Sequence, residues 1–190
     1  GVIFAPHFYP NIINYLRSND LSTSEYQSLM ARLAKEAKAN NAPLLLGEYG
    51  NPWPSSKNGD KAAEQNHQNL EKLTSSLIDQ YALSVSRPHF ADERACWSLD
   101  NKNYMCGAVI LGKQGLNGEE RRFVTDVFVR AYPQKVAGKL NSFSYNFDNN
   151  RFTLKYLPTP ALGQTQIYIP QMRHYSNGFT IKHSSGITLI

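Results

Sequence analysis

Cysteine is scarce: the chain has two, Cys96 and Cys106, in 190 residues. That excludes a small scaffold stapled by several disulfides, and no Cys/His spacing matches a zinc site. Charge is also sparse, at 18%, while 41% of residues are hydrophobic. This balance excludes a disordered tail and suits a packed core. No hydrophobic run is long enough to span a bilayer. No secretory leader pattern is visible, although a chain that opens on Gly1, almost inside a strand, says nothing about a leader. Internal repeats and low-complexity linkers are missing too. The net charge is +5 and the sequence pI is about 9.2. The basic residues are scattered, and Arg121-Arg122 directly follow Glu119-Glu120, so there is no stripe of the kind that binds nucleic acid. Such a surface suits at most peripheral contact with an anionic membrane or micelle.

What is present is an alternation of short apolar runs and amphipathic stretches. Leu44-Leu45-Leu46 reads as a buried parallel strand, and Gly47-Glu48-Tyr49-Gly50-Asn51 follows at its C-terminal end. An earlier apolar run, residues 2–5, leads into Pro6-His7-Phe8-Tyr9-Pro10. Side chains alternate along a strand, so His7 and Tyr9 share a face. Cys96-Trp97-Ser98-Leu99-Asp100 is a third candidate strand. Ser22-Thr23-Ser24-Glu25 has the form of a capping box. Tyr26, Leu29, Met30, Leu33, Ala34 and Ala37 then repeat at helical spacing until Asn40-Asn41. Asp60 opens a second helix, with Ala63, His67, Leu70, Leu73, Leu77, Ile78 and Tyr81 inward. Residues 87–94 read as an irregular insertion, and a third helix starts near Asn117. Strand–helix–strand units of this kind imply right-handed crossovers and a parallel sheet.

The character changes at Tyr132-Pro133. Residues 141–147 and 151–156 alternate around Asp148-Asn149-Asn150 and predict a hairpin. Residues 166–170, 179–183 and 187–190 read as further short strands, which together indicate an antiparallel sandwich. The predicted organisation is an α/β segment over 1–132 and a β-sandwich over 133–190. Cys96 and Cys106 are near enough in sequence to close a short disulfide loop, which would contribute about 2–3 kcal/mol. A bridge there implies an oxidising compartment, secreted or lysosomal. Two buried free thiols are the alternative.

The order His7/Tyr9, Glu48, Trp97 on successive strands resembles the last three strands of clan A retaining glycosidases, particularly glycoside hydrolase family five. Arg130-Ala131-Tyr132-Pro133 with Val136-Ala137-Gly138, followed by Ser142-Phe143-Ser144-Tyr145, is similar to the junction that leads into the C-terminal domain of endoglycoceramidases in that family. The resemblance spans nearly the whole chain; the insertion at 87–94 and the loop bounded by the cysteines depart from it. It implies strands six to eight of a (β/α)8 TIM barrel followed by a β-sandwich.

The resemblance also implies roles. Glu48 is the nucleophile and Tyr9 the hydroxyl that holds it ionised and oriented. His7 contacts a sugar hydroxyl or the acid/base, and Trp97 is the aromatic floor beneath the reacting sugar. Trp53 lines the lipid side, and Asp100 and Asn101 reach sugar hydroxyls. No cofactor or metal is implied. The substrate is a glycosphingolipid or another glycoside. A retaining enzyme needs a second carboxyl about 5 Å from the first. In this family it follows the fourth strand, outside a chain that begins at the sixth. Glu25, Glu64, Glu71, Glu93, Glu119 and Glu120 all fall on helices or loops, and none replaces it. The expected partner is therefore the N-terminal barrel portion of the same enzyme. Two alternatives stand beside cleavage between glycan and ceramide. One is another family-five activity, such as an endoglucanase or a simple glycosylceramidase. The other is a non-catalytic carbohydrate- or lipid-binding fragment.

Overall fold

The computed structural model of the chain describes residues 1–10, 21–51, 59–88, 97–98, 104–105, 109–111 and 114–184, with 97–98 and 104–105 defined by strand pairing alone. The N-terminal part is a parallel arc. Strand β1 (His7–Phe8) pairs in parallel with β3 (Glu48–Tyr49), and Phe4 bridges Leu44 in the same sense. Strand β2 (Leu45–Leu46) pairs in parallel with β4 (Ser84–Val85). Two helices make the crossovers. Helix α1 (Thr23–Ala39) is opened by Ser22, which accepts from the Glu25 amide while the Glu25 carboxylate reaches back to the Ser22 amide. Helix α2 (Lys61–Gln80) is capped by Asp60, which accepts from the Ala63 amide at 3.1 Å.

Both helices cover one face of the arc. Phe8, Tyr26, Met30, Leu46, Tyr49, Leu77 and Ile78 form its core, with Leu29, Leu33, Leu44, Leu70 and Leu73 packed around them. Burying each such side chain stabilises the fold by roughly 1.5–3 kcal/mol. The opposite face of the strands carries His7 and Glu48, whose side chains are 57% and 35% exposed.

The third parallel strand is not where the sequence places it. Ser84–Val85 joins the arc, whereas β5 (Trp97–Ser98) pairs antiparallel with β6 (Tyr104–Met105). The physical reason is proximity. Helix α2 is followed by its C-cap Tyr81, Ala82 turns at φ 51°, and Leu83 packs against the core, so the chain is beside Leu45–Leu46 at once. A two-residue strand leaves almost no periodic signal. The third helix is shorter than expected: a 3-10 turn at Gly115–Asn117 precedes α3 (Arg122–Phe128).

Strands β7 (Tyr132–Lys135), β8 (Gly138–Asn146), β9 (Arg151–Pro158) and β10 (Gln166–Tyr168) follow. The hairpin β8–β9 is antiparallel, with a register shift between Leu140 and Ser142. Its turn is built by Asn146, whose side chain accepts from the amides of Asp148 and Asn149. Strand β10 pairs antiparallel with β7. The junction segment thus forms a strand of its own, which sequence reading took for a connection. Residues 179–183 are not a strand. Phe179 and Ile181 are exposed, and no strand pairs with this stretch among the described residues. A short helix, α4 (Gln171–His174), precedes them. The last expected strand, 187–190, lies outside the described residues.

Candidate functional site

The site begins with a bulge. Phe4 bridges Leu44 and His7 pairs with Glu48, so three steps along the first strand face four along the second. Strict alternation would put Leu44, Leu46 and Glu48 on one face. Instead Leu46 and Tyr49 are both buried in the core, and Glu48 turns to the other side. One extra residue beside Gly47 re-aims the carboxylate, a common use of bulges near functional sites. Gly47 closes the pairing through its amide to the Pro6 carbonyl at 3.1 Å. A Cβ at this glycine would stand 3.4 Å from the His7 ring.

Glu48 meets two of the side chains predicted to accompany it. The Tyr9 hydroxyl donates to Glu48 Oε2 at 3.1 Å. His7 Nδ1 lies 3.4 Å from the same oxygen. Burial pushes the Tyr9 hydroxyl well above its ordinary pKa, and the adjoining carboxylate adds to the shift through its hydrogen bond and its charge. Tyr9 therefore stays protonated and remains a donor. The result is an ionisable carboxylate at a strand end, partly exposed on the face away from the helices and held by a neutral phenol.

Sequence reading missed the polar cluster just past Glu48. Arg87, two residues beyond β4, forms a two-pronged ion pair with Glu71 of α2, at 2.6 and 3.0 Å. Its guanidinium also lies over the rings of Tyr49 and Phe128, at 5.2 and 5.1 Å. Asn51 donates to Glu71 Oε1 at 3.2 Å and to Thr74 Oγ1 at 3.4 Å, and accepts from the Tyr26 hydroxyl. His67 Nε2 is 3.3 Å from Glu71 Oε1. Burial alone would push the Glu71 carboxyl up. Arg87 and His67 outweigh it and hold the group well below the usual carboxylate range. The available signal was the run His67, Glu71 and Thr74 at helical spacing, which puts three polar side chains on one buried face of α2.

The remaining predicted site residues are not brought to Glu48 by anything described. Trp53, Asp100, Cys96 and Cys106 lie outside the described residues, and Trp97 is placed by its antiparallel pairing alone. Several described carboxylates are engaged elsewhere. Glu25 caps α1, Glu64 pairs with Lys61, Asp79 with Arg130, and Glu120 and Asp126 with Arg173. Among the described residues no group of three His, Cys, Asp or Glu side chains is placed to hold a metal ion. No described helix is long and apolar enough to cross a membrane.

Comparison with known proteins adds a family. The family model described as "Glycoside hydrolase family 5 C-terminal domain" matches residues 130–190. Among solved structures, Cryptococcus neoformans sterylglucosidase 1 is similar over 87% of this chain and 31% of its own, with a TM-score of 0.56 and 14% identity. A second structure of that protein, with tris, gives a TM-score of 0.54 at 14% identity over 87% of this chain and 29% of its own. Endo-glycoceramidase II from Rhodococcus sp. gives a TM-score of 0.46 at 19% identity, over 79% of this chain and 28% of its own. No curated protein matches the chain. The chain spans about a third of the length of the structures it resembles. Residues 130–190 thus match a glycoside hydrolase family 5 C-terminal domain, and the chain shares its fold with part of the sterylglucosidase structures.

Proposed function

We propose that this chain supplies the nucleophile side of a retaining β-glycosidase, with Glu48 as the group that attacks the anomeric carbon. The observation that carries this is the convergence of Tyr9 and His7 on one oxygen of Glu48 at the ends of two paired parallel strands. Functional groups of parallel α/β folds gather at such ends. The parallel arc is read as part of a (β/α)8 barrel over 1–132, and residues 133–190 as a β-sandwich. The acid/base carboxyl, about 5 Å from Glu48 in a retaining enzyme, comes from a barrel segment outside this chain. In the first step Glu48 displaces the aglycone oxygen while the acid protonates it. In the second step water, deprotonated by the same group, releases the sugar with its configuration retained. Tyr9 orients Glu48, and His7 binds a hydroxyl of the sugar. Trp97 forms the floor under the ring, with Trp53 and Asp100 towards the aglycone and the sugar hydroxyls. A Cys96–Cys106 bridge pins the intervening loop and matches an oxidising compartment.

The bond proposed for cleavage is the β-linkage between glycan and ceramide in glycosphingolipids. The junction sequence Arg130-Ala131-Tyr132-Pro133 with Val136-Ala137-Gly138 supports that substrate. The test uses the protein that contains this chain, a 2-fluoro glycosyl inactivator and peptide mapping. The label is expected on Glu48, and Glu48→Gln is expected to lose roughly three orders of magnitude or more in turnover. A label on another residue, or near-normal turnover of Glu48→Gln, would remove Glu48 from this role. Release of intact glycan from a glycosphingolipid, against no release from a β-glucan, separates the ceramide reading from an endoglucanase. Release of glucose alone points to a simple glycosylceramidase.

A further inference from the structure

We infer that the buried Glu71–Arg87 pair is a positioning device for Glu48, acting through the three residues that follow it. The inference rests on the reading of Glu48 as nucleophile for its catalytic consequence, but its geometric content stands apart from that reading. Every residue from 49 to 51 is held by the pair or by a neighbour of it. Tyr49 is buried under the Arg87 guanidinium. Gly50 lies between Tyr9 and Arg87: a Cβ there would be 3.6 Å from the Tyr9 ring and 3.9 Å from Arg87 Nη2. Its amide reaches the Phe8 carbonyl at 3.4 Å. Asn51 is tied to Glu71, Thr74 and Tyr26. Glu48 is the residue that enters this clamp, and Tyr9, its hydrogen-bond donor, packs on the other side of Gly50.

Stability alone does not explain such a pair. Glu71 is fully buried and the Arg87 side chain is 9% exposed. Taking both charges out of water costs about as much as their attraction returns, and apolar residues of similar volume often serve the fold as well or better. What the pair adds is geometry. A guanidinium fork on a carboxylate, lying over two aromatic rings, fixes orientation in a way that apolar contacts do not. Reacting groups need that: a displacement of about 1 Å can cost about 100-fold in rate. The bulge at Gly47 makes the need acute, because the strand's own alternation would turn Glu48 to the helix side.

The test compares Arg87→Lys, and the double replacement Arg87→Met with Glu71→Leu, in the full protein. The double variant removes the pair without leaving one charge buried alone. Turnover of an aryl β-glucoside is expected to fall about 10- to 100-fold in the double variant with KM nearly unchanged, since the effect is misplacement. Arg87→Lys keeps the charge without the fork and is expected to recover only part of the loss. A double variant that folds and turns over within about threefold of the parent overturns the inference. So does a loss of activity that only tracks a loss of folded protein by circular dichroism. A crystal structure of Arg87→Lys gives the readout without turnover: the Tyr9–Glu48 contact is expected to lengthen beyond hydrogen-bond reach. An unchanged contact overturns the inference even if Glu48 is not the nucleophile. If Glu48→Gln keeps turnover while the contact does lengthen, the functional reading falls and the positioning role stands.

Discussion

Tyr9 and Glu48 are 39 positions apart in sequence and share one hydrogen bond. The expectation of that contact comes from the resemblance to clan A glycosidases; period two by itself gives only the shared face of His7 and Tyr9. The bulge was not legible, since one inserted residue changes no hydrophobic count; Gly47 was its trace. The Glu71–Arg87 pair was invisible for a different reason: two charged residues on separate elements give no periodic signal before the fold is known. At this scale the prediction concerns Tyr9. A hydrogen bond to a charged group is worth about 1.5–3 kcal/mol, and each 1.4 kcal/mol is a factor of ten. Tyr9→Phe removes the bond and keeps the ring packed on Gly50. Turnover is expected to fall by roughly 10- to 100-fold with KM changed less than about threefold. Because burial and Glu48 keep the Tyr9 hydroxyl protonated, the parent's turnover shows no loss assignable to Tyr9 ionisation up to pH 10. Steady-state kinetics of the variant beside the parent decide it, and equal turnover would remove Tyr9 from the site.

Helices and the hairpin were legible as elements, because each carries its own start signal and period. Ser22 and Asp60 do cap their helices, and the Asp148-Asn149-Asn150 turn does reverse the chain. Short strands are not: Ser84–Val85 carries no sequence signal, and among the described residues Trp97–Ser98 pairs antiparallel with Tyr104–Met105 rather than in the expected parallel sense. Two-residue strands are set by what lies beside them rather than by their own pattern. The junction segment shows how a motif acquires a physical reason. Ala131 and Ala137 are buried, and Arg130 pairs with Asp79. Gly138 sits at φ 155°, where a Cβ would lie 2.0 Å from the Leu157 carbonyl oxygen. That contact is with backbone of the partner strand, so it cannot be relieved by a rotamer change. Gly138→Ala is expected to pry β8 from β9 at their open end and destabilise the domain by about 2 kcal/mol or more. Thermal unfolding by circular dichroism measures it. A midpoint within a degree of the parent would mean the strands separate there at no cost.

At the scale of the whole molecule, one buried carboxylate joins the parallel segment to the C-terminal domain. Asp79, near the end of α2, accepts from the Arg130 guanidinium with one oxygen and from the Tyr145 amide with the other, at 3.1 Å. Arg130 stands just before β7 and Tyr145 lies in β8, so the helix, the junction and the hairpin meet at one group. Burial pushes the Asp79 carboxyl up to about 6, against the pull of Arg130 and of the Tyr145 amide. The folded state thus holds this proton more tightly than the unfolded chain does. The stability it contributes is fully present below pH 4 and is lost as pH rises through about 6. A shift from 3.8 to about 6 corresponds to about 3 kcal/mol. Asp79→Asn keeps the shape, cannot titrate, and replaces one of the two oxygens that accept from Arg130 and the Tyr145 amide with an amide nitrogen that cannot accept, so it is expected to be destabilising throughout. The informative quantity is the gap between parent and variant, because every other titrating group cancels from it. That gap should be widest near pH 4 and narrow steadily to pH 7 in denaturant titrations. A gap that widens with pH would mean that Arg130 wins over burial and holds Asp79 ionised below its ordinary range. The tie between the two parts would then be an ion pair from pH 4 upward, rather than one that forms only as pH rises through about 6.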